Sequence, residues 1–100
     1  MDSDFYVGFI RLHILHHAGK EPLFGLWLIK ELGRHGYELS PGTLYPILHR
    51  MEERGYLESR KHLVEGKIRR LYTLTPYGRE VLEAAKEKVR ELFGELIEKE

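Results

Sequence analysis

The sequence predicts an α+β fold that is mostly α: three helices, a two-stranded hairpin and a long closing helix. Two pairs, Ser40-Pro41 and Thr75-Pro76, carry the cap-then-proline signal of a helix start. After Gly55 the apolar pattern changes, from spacings of three and four to two stretches rich in β-branched and aromatic residues around Val64-Glu65-Gly66-Lys67. A chain of 100 residues with 42% hydrophobic content supports one small domain, whose adequate core a second subunit would help.

Taken in order, Asp4 can cap a first helix from about Phe5 to His17, with Phe5, Phe9, Leu12 and Leu15 at helical spacing. The run Ala18-Gly19-Lys20-Glu21-Pro22 ends it. A second helix from about Leu23 to Arg34 puts Leu23, Trp27 or Leu28, and Leu32 on one side, and His35-Gly36 closes it. Tyr37-Glu38-Leu39 reads as a short extended link. The third helix, about Pro41 to Arg54, has Ser40 as N-cap and Gly55 where a left-handed C-terminal cap would fall.

Leu44, Ile47, Leu48 and Met51 give this third helix one core-facing stripe, which leaves Thr43, Tyr45, Pro46, His49 and Arg50 outside. A proline so far into a helix forfeits a hydrogen bond, so the helix is expected to start late, near Gly42 or Thr43. Tyr56 to Val64 and Ile68 to Thr75 form the hairpin, and a last helix runs from about Pro76 to near Glu100. Three helices followed by a two-stranded ribbon is the arrangement of a winged helix-turn-helix. Residues 1-75 are the expected winged-helix domain and 76-100 the expected dimerisation helix.

Charge follows this division. Residues 1-55 carry a net charge of −1, residues 56-79 of +4 and residues 80-100 of −3, although the whole chain sums to zero. The basic block is the hairpin, where Arg60, Lys61, Lys67, Arg69 and Arg70 can meet phosphates. Strand alternation keeps Arg69 and Arg70 from pointing the same way, and one of them is expected to pair with Glu52 or Glu53. Hydroxyl, ring and cation on the third helix suit phosphates and base edges of a major groove. The expected DNA-binding set is Ser40, Gly42, Thr43, Tyr45, Pro46, His49, Arg50, Lys61, Lys67, Arg69 and Arg70, with double-stranded DNA as partner.

The closing helix is the expected dimer handle. Leu82, Ala85, Val89, Leu92 and Leu96 follow a heptad seam that Val81, Phe93 and Ile97 widen, and Phe5 and Phe9 of the first helix can join it. About 24 residues at ~1.5 Å each make a rod long enough to meet a second copy. Other signals are thin. Cysteine is absent, which excludes disulfides and thiolate metal sites, and the apolar run Phe5 to Ile10 is too short for a membrane span.

A cytoplasmic protein is therefore expected, with no membrane partner. The lack of Asn and Gln beside abundant Glu, Lys and Arg matches proteins of very hot environments. His13, His16 and His17 share one helical side and could form a weak metal site, but the expected cofactor and metal sets are empty. No nucleophile–base pair or phosphate loop argues for an enzyme.

From about Leu12 to Leu82 the chain resembles the PadR family of transcriptional regulators. The segments that carry the likeness run from Ser40-Pro41-Gly42-Thr43-Leu44-Tyr45-Pro46 through Glu52, and from Arg69-Arg70-Leu71-Tyr72-Thr73-Leu74-Thr75 through Gly78. The second, ending in Leu-Thr-x-x-Gly, is shared with other winged-helix regulators. Leu23-Phe24-Gly25-Leu26-Trp27 departs from the family's Leu-His-Gly-Tyr-Glu segment at Phe24 and Leu26.

The resemblance implies a homodimeric repressor on a pseudo-palindromic operator, in the branch with a single C-terminal helix, its effector unknown. Some members of that branch hold flat aromatic compounds between interface tryptophans. Here the one tryptophan, Trp27, is in the second helix, and that property is not carried over. Two other readings remain open on sequence: a winged helix used as a protein-interaction module, and a metal- or ligand-gated sensor on the same scaffold.

Overall fold

Helix α1, Ser3–Ala18, begins where the Asp2 side chain accepts the Phe5 amide at 3.2 Å, so Asp2 and not Asp4 is the cap. The computed structural model describes residues 2–99, so Glu100, the expected end of the last helix, lies outside them. After α1 come a short strand β1 (Leu23–Phe24), α2 (Gly25–Arg34), α3 (Pro41–Glu53), strands β2 (Leu57–Val64) and β3 (Lys67–Leu74), and α4 (Pro76–Phe93). A π-type turn over Gly94–Glu98 follows α4.

The order of helices, ribbon and closing helix is the one expected, with one addition. Leu23 and Phe24 are extended and pair antiparallel with Tyr72 and Leu71, making a three-stranded sheet in the order β1-β3-β2. The second helix therefore starts two residues later than its apolar spacing suggests. Such a two-residue strand has no local signature; it exists because β3 offers a free edge.

The core is built where the helices cross. Ile10, Ile14, Leu28, Leu32, Leu44, Leu48, Met51 and Leu57 are fully buried, and truncating any one to alanine costs about 2–5 kcal/mol. Helix α1 corrects the expected stripe, since Phe5 is 73% exposed and Phe9 half-exposed while Ile10, Ile14, Leu15 and Ala18 face inward. With apolar residues on both sides, α1 satisfies its own core with one and leaves the other uncovered. In α2 the alternative resolves to Leu28, because Trp27 is exposed.

Helix α3 starts at Pro41 and runs unbroken through Pro46, earlier than the proline argument placed it. The carbonyl that would have bonded a residue-46 amide belongs to Gly42, and both residues are exposed, so water can take the lost partner's place. Gly55 closes α3 with φ 81°, and the Tyr56 amide reaches back to the Met51 carbonyl at 3.0 Å. In the hairpin turn Glu65 and Gly66 both have positive φ, 49° and 79°, the pairing of a two-residue turn matched to strand twist.

The start of α4 is locked to the end of α3. Thr75 Oγ1 accepts the Gly78 amide at 2.9 Å and donates toward the Gly55 and Tyr56 carbonyls. A β-carbon on Gly78 would fall 2.1 Å from the Tyr56 carbonyl oxygen, which explains a glycine at the end of the Leu-Thr-x-x-Gly segment. Arg79 ties the same turn to α1 through the Gly19 carbonyl at 2.8 Å. Among the described residues, no helix is long and apolar enough to cross a membrane.

Candidate nucleic-acid interface

Helix α3 buries Leu44, Ile47, Leu48 and Met51 and leaves Gly42, Thr43, Tyr45, Pro46, His49 and Arg50 exposed, the division its spacing predicts. Helical geometry sorts the outer set further. Gly42, Pro46, His49 and Glu53 run down the centre of the outward face; Thr43 and Arg50 flank it toward the N-terminal end of α1, and Tyr45 and Glu52 flank it toward the hairpin. The Ser40 hydroxyl accepts the Thr43 amide and lies 3.3 Å from the Thr43 hydroxyl, so the cap also orients the first outward side chain.

His49 Nε2 stands 3.5 Å from a Glu53 carboxylate oxygen, an exposed i,i+4 pair. Glu53 was absent from the expected set, although its spacing from His49 marks it. An acid at the far end of the outward face repels phosphate and keeps the last turn of α3, beyond Arg50, off the backbone.

Tyr45 does not stand free. Its ring lies on Gly25 at the start of α2, and 38% of the residue remains exposed. Only a glycine leaves room for that ring. Phe24, Gly25, Leu26 and Tyr45, with Ile68, Arg69, Arg70 and Tyr72 of β3, line a recess of about 200 Å³ between α3 and the sheet. Burial raises the Tyr72 phenol above its ordinary pKa, and the Glu52 carboxylate adds to the effect, so the hydroxyl stays protonated.

The hairpin is fastened to α3 by a relay. The Glu52 carboxylate accepts the Ser59 amide at 3.2 Å and the Ser59 hydroxyl at 2.8 Å, and that hydroxyl accepts from the Arg70 guanidinium at 3.1 Å. The expected pairing of an arginine with Glu52 thus runs through Ser59. Register places Lys61 opposite Arg70 and Leu63 opposite Ile68 on this same sheet face, whereas Arg60, Lys67 and Arg69 share the other. The five hairpin cations are split between two faces, two of them beside α3.

At the tip, Leu63 and Ile68 are 70% and 68% exposed, an apolar pair on the α3 side that sequence reading left unassigned. Elsewhere, Val89, Leu92 and Phe93 are exposed along α4, Leu96 in the π-type turn after it, and Phe5 and Phe9 along α1, while Ala85 is half-buried. Leu82 differs from them. It packs into the core of its own chain and forms the floor of the groove between α1 and α4.

A separate cluster joins α1 to the end of α2. His13 and His17 converge with His35, one ring nitrogen of each lying within 4.8 Å of the others, while His16 turns instead toward Lys86 and Arg90 of α4. Burial lowers the pKa values of His13, His16 and His17; the charges of Lys20 and Lys86 add to it at His16, while at His13 and His17 the neighbouring imidazoles add to it and Glu31 opposes it. For Glu31, burial pushes upward, but the His35 hydrogen bond and the charges of Arg34, His17 and His35 outweigh it and hold the carboxyl below its ordinary value.

Comparison with known proteins agrees with this architecture. The model of the transcriptional regulator PadR-like family matches residues 14–84. The chain is 50% identical over 88 residues to the transcriptional regulator Rv3488 of Mycobacterium tuberculosis, covering 88% of this chain and 82% of the relative. Among solved structures, a PadR family transcriptional regulator from Eggerthella lenta superposes with a TM-score of 0.78 at 30% identity, over 98% of this chain and 93% of the other. A PadR-like transcriptional regulator from Bacillus cereus gives a TM-score of 0.80 at 29% identity, over 98% and 100%. With its helices, ribbon and C-terminal helix arranged in this way, the chain belongs to the PadR-like family of winged-helix transcriptional regulators, which are not enzymes.

Proposed function

We propose that this chain is a homodimeric repressor that reads a pseudo-palindromic operator with α3 and grips the flanking backbone with the hairpin. The observation that carries the reading is the Glu52–Ser59–Arg70 relay, which fixes a cationic sheet face beside the outward side chains of α3. Relay and helix cap hold both elements in place before DNA arrives, so little ordering entropy is spent on binding. Gly42, Thr43, Pro46, His49 and Arg50 lie within reach of base edges and phosphates, and Tyr45 supports them from Gly25. Ser40 holds the helix start, where backbone amides suit a phosphate.

Lys61 and Arg70 contact phosphates beside the groove, and Leu63 with Ile68 forms a wedge for the adjoining minor groove. Arg60, Lys67 and Arg69, on the far face, add long-range attraction. The second copy covers the apolar surface of Phe5, Phe9, Val89, Leu92, Phe93 and Leu96, with the half-buried Ala85 beneath. That surface, stranded in water on a single chain, supports the dimer.

A labelled duplex from the region upstream of the chain's own coding sequence tests the reading by fluorescence anisotropy at moderate salt. Binding in preference to random duplex, with a steep salt dependence, is expected. Equal and weak binding to both favours the rival use of the winged helix as a protein-interaction module.

A further inference from the structure

The cluster between α1 and α2 has the make-up of a ligand set. His13 and His17 stand one turn apart on α1, and His35 ends α2, with the His13 and His35 rings stacked at 4.7 Å between centroids. Glu31, one turn before His35, brings a carboxylate oxygen 3.1 Å from His35 Nε2 and 3.6 Å from His17 Nε2. The His17 Nε2 atom is shielded from solvent and has no hydrogen-bond partner among the described residues, since the 3.6 Å to Glu31 is too long for one. A buried polar atom left unpaired in this way is costly unless something else binds it.

We infer that His13, His17, His35 and Glu31 form a binding site for one divalent transition-metal ion of the zinc class. Three imidazoles and one carboxylate meet zinc's preference for four tetrahedral nitrogen and oxygen ligands, whereas magnesium and calcium require oxygen alone. Zinc–ligand bonds of about 2.0–2.1 Å put neighbouring donors roughly 3.4 Å apart, so the nitrogens must draw in from their present spread. His35 can supply that movement, because its side chain is 45% exposed and caps a helix end. His17 and Glu31 are held more firmly, at 14% and 13% exposure, and the Glu31 carboxylate, already beside His35 and His17, closes on the three converged imidazoles as the fourth ligand.

The site lies next to working parts of the molecule. His35 opens the His35-Gly36-Tyr37 turn that leads to the Ser40 cap of α3, so a bound ion clamps α1 to the root of the turn preceding that helix.

Metal uptake itself is the test, independent of DNA binding. Tag-free protein stripped with chelator is titrated with Zn(II) by calorimetry and with Co(II) by visible absorption. One ion per chain, a tetrahedral cobalt spectrum and a raised melting temperature are expected. His35→Gln and His17→Gln should weaken binding on the order of 100-fold and Glu31→Gln about 10-fold, while His16→Gln and His49→Gln retain wild-type uptake. Circular dichroism of the metal-free variants checks their folding, which the exposed position of His35 favours. No uptake by the wild type, equal uptake by His35→Gln, or loss on His16→Gln would overturn the site.

Discussion

A β-carbon placed on Gly25 would lie 2.7 Å from the Tyr45 ring, so the start of α2 and the outward side of α3 occupy one shared space. Backbone of the one helix is the seat for a side chain of the other. Gly25→Ala must displace the ring or the helix, at about 1–3 kcal/mol of stability. It should also erode the preference for operator over random duplex. Thermal melting and paired anisotropy titrations check both, and an unchanged preference would remove Tyr45 from the readout.

Gly78 offers a stricter steric test, because its obstacle is the Tyr56 backbone and not a movable side chain. Gly78→Ala should cost about 3 kcal/mol or more, at the upper end for overpacking. Thr75→Ala, which removes a cap and its reach to the α3 end, should cost about 1–2 kcal/mol. Denaturant unfolding measures both, and a Gly78→Ala variant as stable as wild type would show that the junction yields freely.

On the hairpin the two arginines should separate. Arg70→Ala removes a phosphate contact beside α3 and should lower the log–log salt slope by roughly 0.9, equally for all sequences. Arg69→Ala, on the opposite sheet face, should change the slope less. Salt titrations of the two variants decide, and a larger effect at Arg69 would put the wrong face on the DNA.

The exposed α4 surface predicts the assembly. Val89→Asp with Leu92→Asp should leave the fold intact, since both positions are open in the single chain, while charge buried without a partner prevents association. Sedimentation should find wild-type dimers and variant monomers at micromolar concentration. A monomeric wild type or a dimeric variant contradicts the interface.

Local signals were legible in the sequence. Ser40-Pro41, Thr75-Pro76, Gly55 and the Glu65-Gly66 turn each act within a few residues, and the structure has the caps, helix end and hairpin they announce. What stayed hidden depends on contacts between distant segments. Strand β1 forms only because β3 passes by, Tyr45 meets Gly25 across two helices, and His35 joins His13 and His17 only once α2 folds back onto α1. The double apolar character of α1 misdirected the stripe for a related reason. Periodicity identifies apolar faces but not which of two the chain itself will cover.

Selection from a pool of randomised duplexes tests the central claim most directly. The purified protein should enrich an inverted repeat whose half-site centres lie about 10 base pairs, roughly 34 Å, apart. Substituting His49 or Arg50 should relax the preference at defined positions of each half-site, by about 1–3 kcal/mol per lost base contact. A pool that emerges without any enriched sequence, or an enriched site indifferent to changes on the outward face of α3, would contradict it.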